Sequence, residues 1–327
     1  MLNEPFSRRR FLKALTAVAG VSMLGACDTS DQTITIATHM WPGYEPLSLA
    51  CDLGWLDKQL VKLIETDSAT DSIKLLEAGK IDGAGLTLDE VLRIRATGMP
   101  LSILLVCDIS AGADMLLVRP EIKQLSELKG KRIGVEDGAL GTLMLYEILQ
   151  AAGLKRSDVR TVSLTIDQQI GAWQRGEIDA AVTFEPSSRS IKAQGGKLLF
   201  DSRQIPELIF DVIAVRSNLL DKQHSAALHH LTEMQLKALQ HLTVNPHDAA
   251  YRMSARLKLP AEEVMSTFKG LILPDLNNNI RLLADEHPVL LDSASRVTKA
   301  MHQAGILHSD TVVNDLVRPE YLPREVQ

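Results

Sequence analysis

Gly79-Lys80-Ile81-Asp82-Gly83-Ala84 and Gly176-Glu177-Ile178-Asp179-Ala180-Ala181 share Gly, Ile, Asp and the final Ala at a spacing of 97 residues. Each follows a stretch of helical periodicity and opens an apolar run, so each marks a helix ending at glycine and a buried strand beginning. Working outward from the first, Thr33 to Ala37 and Leu60 to Ile64 read as strands, and Leu47 to Leu56 and Asp71 to Glu77 as helices, with Ser68 or Thr70 as the cap of the second. Ile81 to Leu86, a helix from Asp89 to Ala96 and a strand from Leu101 to Val106 follow. Around the second copy lie strands Arg132 to Val135 and Val159 to Leu164 and helices Leu143 to Ala151 and Asp167 to Arg175. This alternation predicts an α/β fold of two lobes with mixed, mostly parallel sheets covered on both faces.

Asp114 to Val118 and Asp211 to Arg216 are extended and apolar, and read as crossings between the lobes. Beyond Arg216 the pattern is helical: Ala226 to Leu242, His247 to Leu257, Ala261 to Gly270 and His287 to Ala304. The expected organisation is lobe 1 over 33–110, lobe 2 over 111–212, and a return hinge with a helical segment packing on lobe 1 over 213–327. A two-stranded hinge of this kind leaves a cleft in which ligands bind.

The chain has 327 residues, 45% of them hydrophobic and 23% charged, which is too apolar for disorder and long enough for two cores. Its net charge is −6, and a basic start conceals a still more acidic remainder. Such a surface argues against nucleic-acid binding, which relies on clustered Lys and Arg.

The basic start is Ser7-Arg8-Arg9-Arg10-Phe11-Leu12-Lys13, followed by an apolar run from Ala14 to Leu24 and then Gly25-Ala26-Cys27. A basic segment, a short apolar stretch and small residues before a cut make an export signal over 1–27, too short to span a bilayer. It resembles a twin-arginine signal, and its end resembles a lipoprotein cleavage box. That resemblance implies lipidation of Cys27 and, with Asp28 next, retention at the periplasmic face of the inner membrane. The remaining cysteines, Cys51 and Cys107, sit in apolar contexts, where an oxidising compartment permits a bond but spacing does not establish one. No cysteine or histidine spacing suits a metal, and no cofactor is expected.

Trp41-Pro42-Gly43-Tyr44-Glu45-Pro46, Asp108 to Asp114, Leu128 to Val135 (L-K-G-K-R-I-G-V) and Val182-Thr183-Phe184-Glu185-Pro186 resemble solute-binding proteins of ABC importers. The branch is the one for nitrate, sulfonates, taurine and thiamine precursors. The resemblance covers nearly all of the chain beyond the signal. It implies the type II periplasmic-binding-protein fold, a small-molecule ligand held between the lobes, and an inner-membrane ABC permease as partner. The protein is expected to be a monomer that meets the membrane only through its lipid anchor.

In such lobes the loops at the carboxyl ends of parallel strands face the cleft. That rule selects Trp41, Gly43, Tyr44, Thr70, Thr87 and Asp89, then Asp108 and Ser110, as ligand-binding candidates in lobe 1. In lobe 2 it selects Gly138, Ala139, Gly141, Thr142, Thr183 and Glu185, with Asp211 at the return hinge. Trp41 and Tyr44 would stack on a flat ligand or a cation, the competing reading of Trp41 being core packing beneath its loop. Gly138 to Thr142 precede a helix and would hold an anionic group on backbone amides. The selected loops nevertheless carry Glu45, Asp71, Asp89, Asp108, Asp137, Glu185 and Asp211, with no Lys or Arg. An anion favours a cationic partner, so the loop chemistry leans towards a cationic or neutral nitrogenous ligand.

Two other classes compete with this reading. A relative of this fold is a thiamine-pyrimidine synthase that sacrifices a histidine, and His39 lies beside Met40-Trp41. That family carries a cysteine-rich iron motif which this chain lacks, so the chain reads as a non-enzyme. A tethered sensing module for a membrane receptor would use the same cleft and lobe closure.

Overall fold

The computed structural model describes residues 32–136, 140–308 and 313–326. The export segment with Cys27, and Gly138 and Ala139 of the glycine turn, lie outside them. The chain runs β1 (Ile34–His39), α1 (Glu45–Asp52), β2 (Val61–Thr66), α2 (Ala69–Glu77), β3 (Gly83–Thr87), α3 (Leu88–Ala96) and β4 (Leu101–Ser110). It continues through β5 (Met115–Val118), β6 (Arg132–Val135), α4 (Leu140–Ala152), β7 (Arg160–Ser163), α5 (Ile166–Gln174), β8 (Ala180–Thr183), α6 (Ser187–Ala193) and β9 (Lys197–Asp201). It then returns in β10 (Phe210–Arg216) and finishes with α7 (Ser225–Val244), α8 (Pro246–Leu257), α9 (Ala261–Val264), β11 (Leu271–Ile272), α10 (Leu276–Leu283) and α11 (Val289–Gln303).

Two mixed sheets result, in the orders β11-β4-β10-β3-β1-β2 and β7-β6-β8-β5-β9. In the first, β1, β2, β3 and β4 point one way and β10 is reversed between β3 and β4. In the second, β6, β7, β8 and β9 point one way and β5 is reversed between β8 and β9. Each reversed strand is the one on which the chain arrives from the other sheet. This corrects the expectation for Asp114 to Val118 and Asp211 to Arg216: they are interior strands, apolar because both faces are covered. The crossings proper are the short segments 111–114 and 202–209. They lie side by side, with the Ser110 and Ser202 hydroxyls 2.7 Å apart and Ser202 N–H donating to the Asp114 carbonyl at 2.9 Å.

The 97-residue repeat has a structural meaning. Gly79 and Gly176 both take positive φ, +69° and +68°, at the ends of α2 and α5, a conformation in which a Cβ is strained. Three residues on, Asp82 accepts the Thr35 N–H at 2.7 Å and Asp179 accepts the Arg132 N–H at 2.8 Å. Thr35 and Arg132 lie in β1 and β6, so each half pins its central parallel strand with the same carboxylate.

One apolar core runs from the first sheet through one face of the second. The alternation of β5 divides its side chains: Leu116 and Val118 join that core, whereas Met115 and Leu117 meet Trp173 and Ile191 beneath α5 and α6. The C-terminal helices cover the first sheet, α7 against α1 and β4, and α11 against α3. Among the described residues no helix is long and apolar enough to cross a membrane.

Candidate functional site

The carboxyl ends of β1, β2, β3 and β8 open into one cavity of about 920 Å³ between the two sheets. His39, Trp41, Thr66 and Thr87 line it from the first sheet, and Leu140, Met144, Ile170, Thr183 and Phe184 from the second. A cavity of this size, largely apolar with a few convergent polar groups, suits a small organic molecule.

Trp41 is fixed from behind and touches across. Its Nε1–H donates to Asp108 Oδ2 at 2.9 Å, and its ring meets Phe184 of the opposite sheet edge-on, centroids 5.0 Å apart. Trp41 is buried in the core, as the packing reading expects, and also lines the cavity. Gly43 serves the same arrangement: a Cβ there would lie 1.6 Å from Asp108 Oδ2.

Behind the cavity lies a cluster of buried acids. Asp108 and Asp211 are cross-strand partners on β4 and β10. Trp41 donates to the first, and the Tyr44 hydroxyl donates to the second at 2.6 Å. Burial raises both carboxyls above the usual range, and the proximity of Asp108 and Asp114 raises Asp211 further. Burial also pushes Asp114 up to about 7, and burial together with Asp89 pushes Glu90 up to about 8. Glu90, Asp114 and Asp211 reach the cavity wall, and Asp114 Oδ2 has no hydrogen-bond partner among the described residues. His39 is held neutral, lowered by burial to about 4, with Nδ1 unpartnered at the wall.

Of the residues expected at the cleft, the structure brings Trp41, Thr87, Gly141, Thr183 and Asp211 to the cavity wall. Tyr44 does not reach it. The ring lies fully buried under the sheet against Gly85, where a Cβ would come within 2.9 Å. Gly43, Asp108 and Ser110 support the wall from behind, and Asp89 is buried at the first turn of α3. Thr70 donates to Glu136 Oε1 at 2.8 Å, bridging the sheets instead of facing the cavity. Glu185 turns away to accept the Ser188 hydroxyl at 2.7 Å and to pair with Arg189. Thr142 is half-buried off the wall. Cys51 and Cys107 are free thiols.

The acidic count of the strand-end loops also needs correction, because the wall holds Arg189, Arg256 and Lys258. All three come from helices or helix ends, which a strand-end rule does not inspect. Arg189 reaches from α6 to Glu263 and Ser266 on the segment packed over the first sheet. Arg256 is divided between Glu45, at 2.9 Å, and Glu65, at 2.7 Å. Glu45 is fully buried, and even with Arg256 beside it burial raises its carboxyl to about 7. Glu90 and Asp114 likewise went unselected, Glu90 because it lies inside α3 and Asp114 because it sits in a crossing.

Comparison with known proteins agrees with this architecture. A family profile described as the NMT1-like family matches residues 28–257. The chain is 27% identical over 183 residues to the taurine-binding periplasmic protein of Escherichia coli strain K12, covering 55% of this chain and 57% of that one. It thus spans little more than half the length of that curated relative. Among solved structures, the alkanesulfonate-binding protein SsuA of Xanthomonas axonopodis pv. citri superposes with a TM-score of 0.73 at 16% identity, covering 88% of this chain and 99% of that one. The periplasmic nitrate-binding protein NrtA of Synechocystis PCC 6803 gives 0.67 at 14% identity, covering 89% and 87%. The fold of two mixed sheets is shared with both.

Proposed function

The chain belongs to the NMT1-like family, and on that premise we propose that it is the solute-binding component of an ABC importer. It captures a small molecule between two lobes and presents it to an inner-membrane permease. The lobes are 33–110 with the helical segment 213–327, and 111–212. The observation that carries this reading is the cavity between the sheets, walled from both sides and bridged by Trp41 on Phe184. A ligand that touches both walls favours the closed form over the open one, which is what a delivery protein needs.

The ligand is read as cationic or nitrogenous. Glu90, Asp114 and Asp211 on the wall have no cationic side chain bonded to them among the described residues. Burial holds their pKa values above the usual carboxylate range, and a bound cation would favour the ionised form. The aromatic wall of Trp41 and Phe184 suits the same chemistry. Residues 1–27 are read as a twin-arginine lipoprotein signal, leaving Cys27 lipidated and the protein tethered in the periplasm as a monomer.

A thermal-shift screen of the purified protein tests the function. Alkylamines and aminopyrimidines should raise the melting temperature in proportion to the logarithm of their concentration, while nitrate and alkanesulfonates leave it unchanged. A chain that responds to no small solute overturns the binding reading. One that responds only to anions overturns the ligand class.

A further inference from the structure

The charges on the cavity wall are sorted by position. Asp211 is paired with Thr87 across β10 and β3, Glu90 accepts the Thr87 N–H at 2.9 Å, and the Asp114 N–H donates to Ser110 Oγ at the end of β4 beside β10, so these acids share one end of the cavity. Across the first sheet the order is β10, β3, β1, β2, with Asp211, Thr87, His39 and Thr66 at successive strand ends along the wall. At β2 stands Arg256, anchored on Glu65 of that strand and on Glu45 of α1, and two residues later Lys258. Three strand spacings separate β10 from β2, about 14 Å. Between these ends Met40, Leu140, Met144 and Ile170 give the wall apolar surface, and the two charged groups beside them are already engaged, Glu136 with the Thr70 hydroxyl and Arg189 with Glu185 and Glu263.

Both ends hold unsatisfied groups. At the acidic end Asp114, 3% exposed, leaves Oδ2 without a donor. At the basic end Arg256 leaves Nη2 without an acceptor, and Lys258 makes no ion pair among the described residues. Asp67 and Asp167 also reach the wall; like Lys258 they are exposed, where solvent screens them, so Arg256 is the less exposed cation of the basic end.

From this layout, and resting on the solute-binding reading above, we infer that the cleft selects an elongated dipolar solute. A protonated nitrogen lies against Asp114 and Asp211, an apolar middle lies between the sheets, and an anionic group lies at Arg256 and Lys258. The arrangement explains why the loops alone look hostile to an anion: the cations arrive on α8, from a distant part of the sequence.

Titration calorimetry on the full chain tests this with a series of ω-amino carboxylates from aminobutanoate to aminododecanoate. Each is compared with the alkylamine and the alkyl carboxylate of the same chain length. The dipolar series should show a length optimum, at which it binds at least about tenfold more tightly than either single-charge analogue, the scale of one charge-assisted hydrogen bond. Lys258→Asn keeps a residue tolerant of the left-handed backbone at that position, φ +54°. It should reduce that advantage several-fold while leaving alkylamine affinity unchanged. Alkylamines binding as tightly as the dipolar series, or Lys258→Asn weakening both alike, overturns the inference while leaving the solute-binding reading in place. Binding by no member of any series overturns both.

Discussion

Trp41 and Phe184, from opposite sheets, meet edge-on with ring centroids 5.0 Å apart and planes at 83°. The same indole is held from behind, its Nε1–H donating to Asp108 Oδ2 at 2.9 Å. One side chain therefore both touches the opposite wall of the cavity and bonds the buried acids behind it.

Replacing Trp41 separates the two roles. Trp41→Phe keeps an aromatic ring for Phe184 but removes the donor to a buried carboxylate, which should cost about 1–3 kcal/mol. Trp41→Ala also removes the ring and should cost about 3–5 kcal/mol together with most of the ligand affinity. Urea unfolding and calorimetric titration of both variants check this. Equal stability of Trp41→Ala and the parent would show that the indole is not core.

Gly43→Ala introduces a Cβ within 1.6 Å of Asp108 Oδ2. The carboxylate is buried on β4 and already takes the Trp41 indole N–H, so destabilisation of about 1–3 kcal/mol is expected, the usual cost of overpacking. Thermal unfolding gives the answer, and an unchanged melting temperature would mean that the loop simply shifts.

Asp114 carries a pH signature. Its folded value is about 7 against an ordinary 3.8. The folded state therefore holds the proton over that window, and the associated stability is lost as pH rises from about 4 through about 7. His39 works in the opposite sense, since its folded value of about 4 costs stability as pH falls below 6.5. Asp114→Asn should remove its share of the first slope, leaving the shares of Glu45, Glu90 and Asp108, which burial raises in the same direction, and the opposite slope of His39, so the ligand-free variant gains stability relative to the parent as pH increases. Melting curves across that range test it; parallel curves would contradict a buried, proton-holding Asp114.

Arg189 joins α6 to Glu263 while also pairing with Glu185. With side chains only partly buried, such a bridge contributes about 0–1 kcal/mol. Arg189→Ala should therefore shift the ligand-free protein towards a more open form by no more than about fivefold. Small-angle scattering should show a larger radius without ligand and an unchanged one with saturating ligand. An identical radius in both states would rule the bridge out as a closing contact.

For the leader, Cys27→Ser should move the protein from the membrane fraction to the soluble periplasm, and Arg8→Lys with Arg9→Lys should hold it in the cytoplasm. Fractionation and immunoblotting check both; membrane association that survives Cys27→Ser would contradict a lipid anchor at that residue.

Much of the fold was legible because its signals are local. Glycines after α2 and α5, apolar runs and the repeated Asp82 and Asp179 place most strands and helices within a residue or two. Lys197–Asp201 was missed because a five-residue edge strand gains its identity from pairing with the distant β5. Leu276–Leu283 was missed because three consecutive asparagines disfavour a helix. One of them, Asn279, is buried and bonds both the N–H and the carbonyl of Val106 on β4, so tertiary contact overrides propensity. The site was half legible for a related reason. Strand ends announce themselves in sequence, and Trp41, Thr87, Thr183 and Asp211 follow from them. Arg256 and Lys258 reach the same cavity from a helix end more than 200 residues after β1 begins, a juxtaposition that exists only after folding.

The central claim is that the acidic end of this cleft holds a protonated nitrogen. The most direct measurement is calorimetric titration of alkylamine, alkanesulfonate and nitrate into the parent protein and into Asp114→Asn. The account predicts amine binding in the parent, its loss by at least about tenfold in the variant, and no response to either anion. Sulfonate or nitrate binding that Asp114→Asn leaves intact, with silence towards amines, would contradict it.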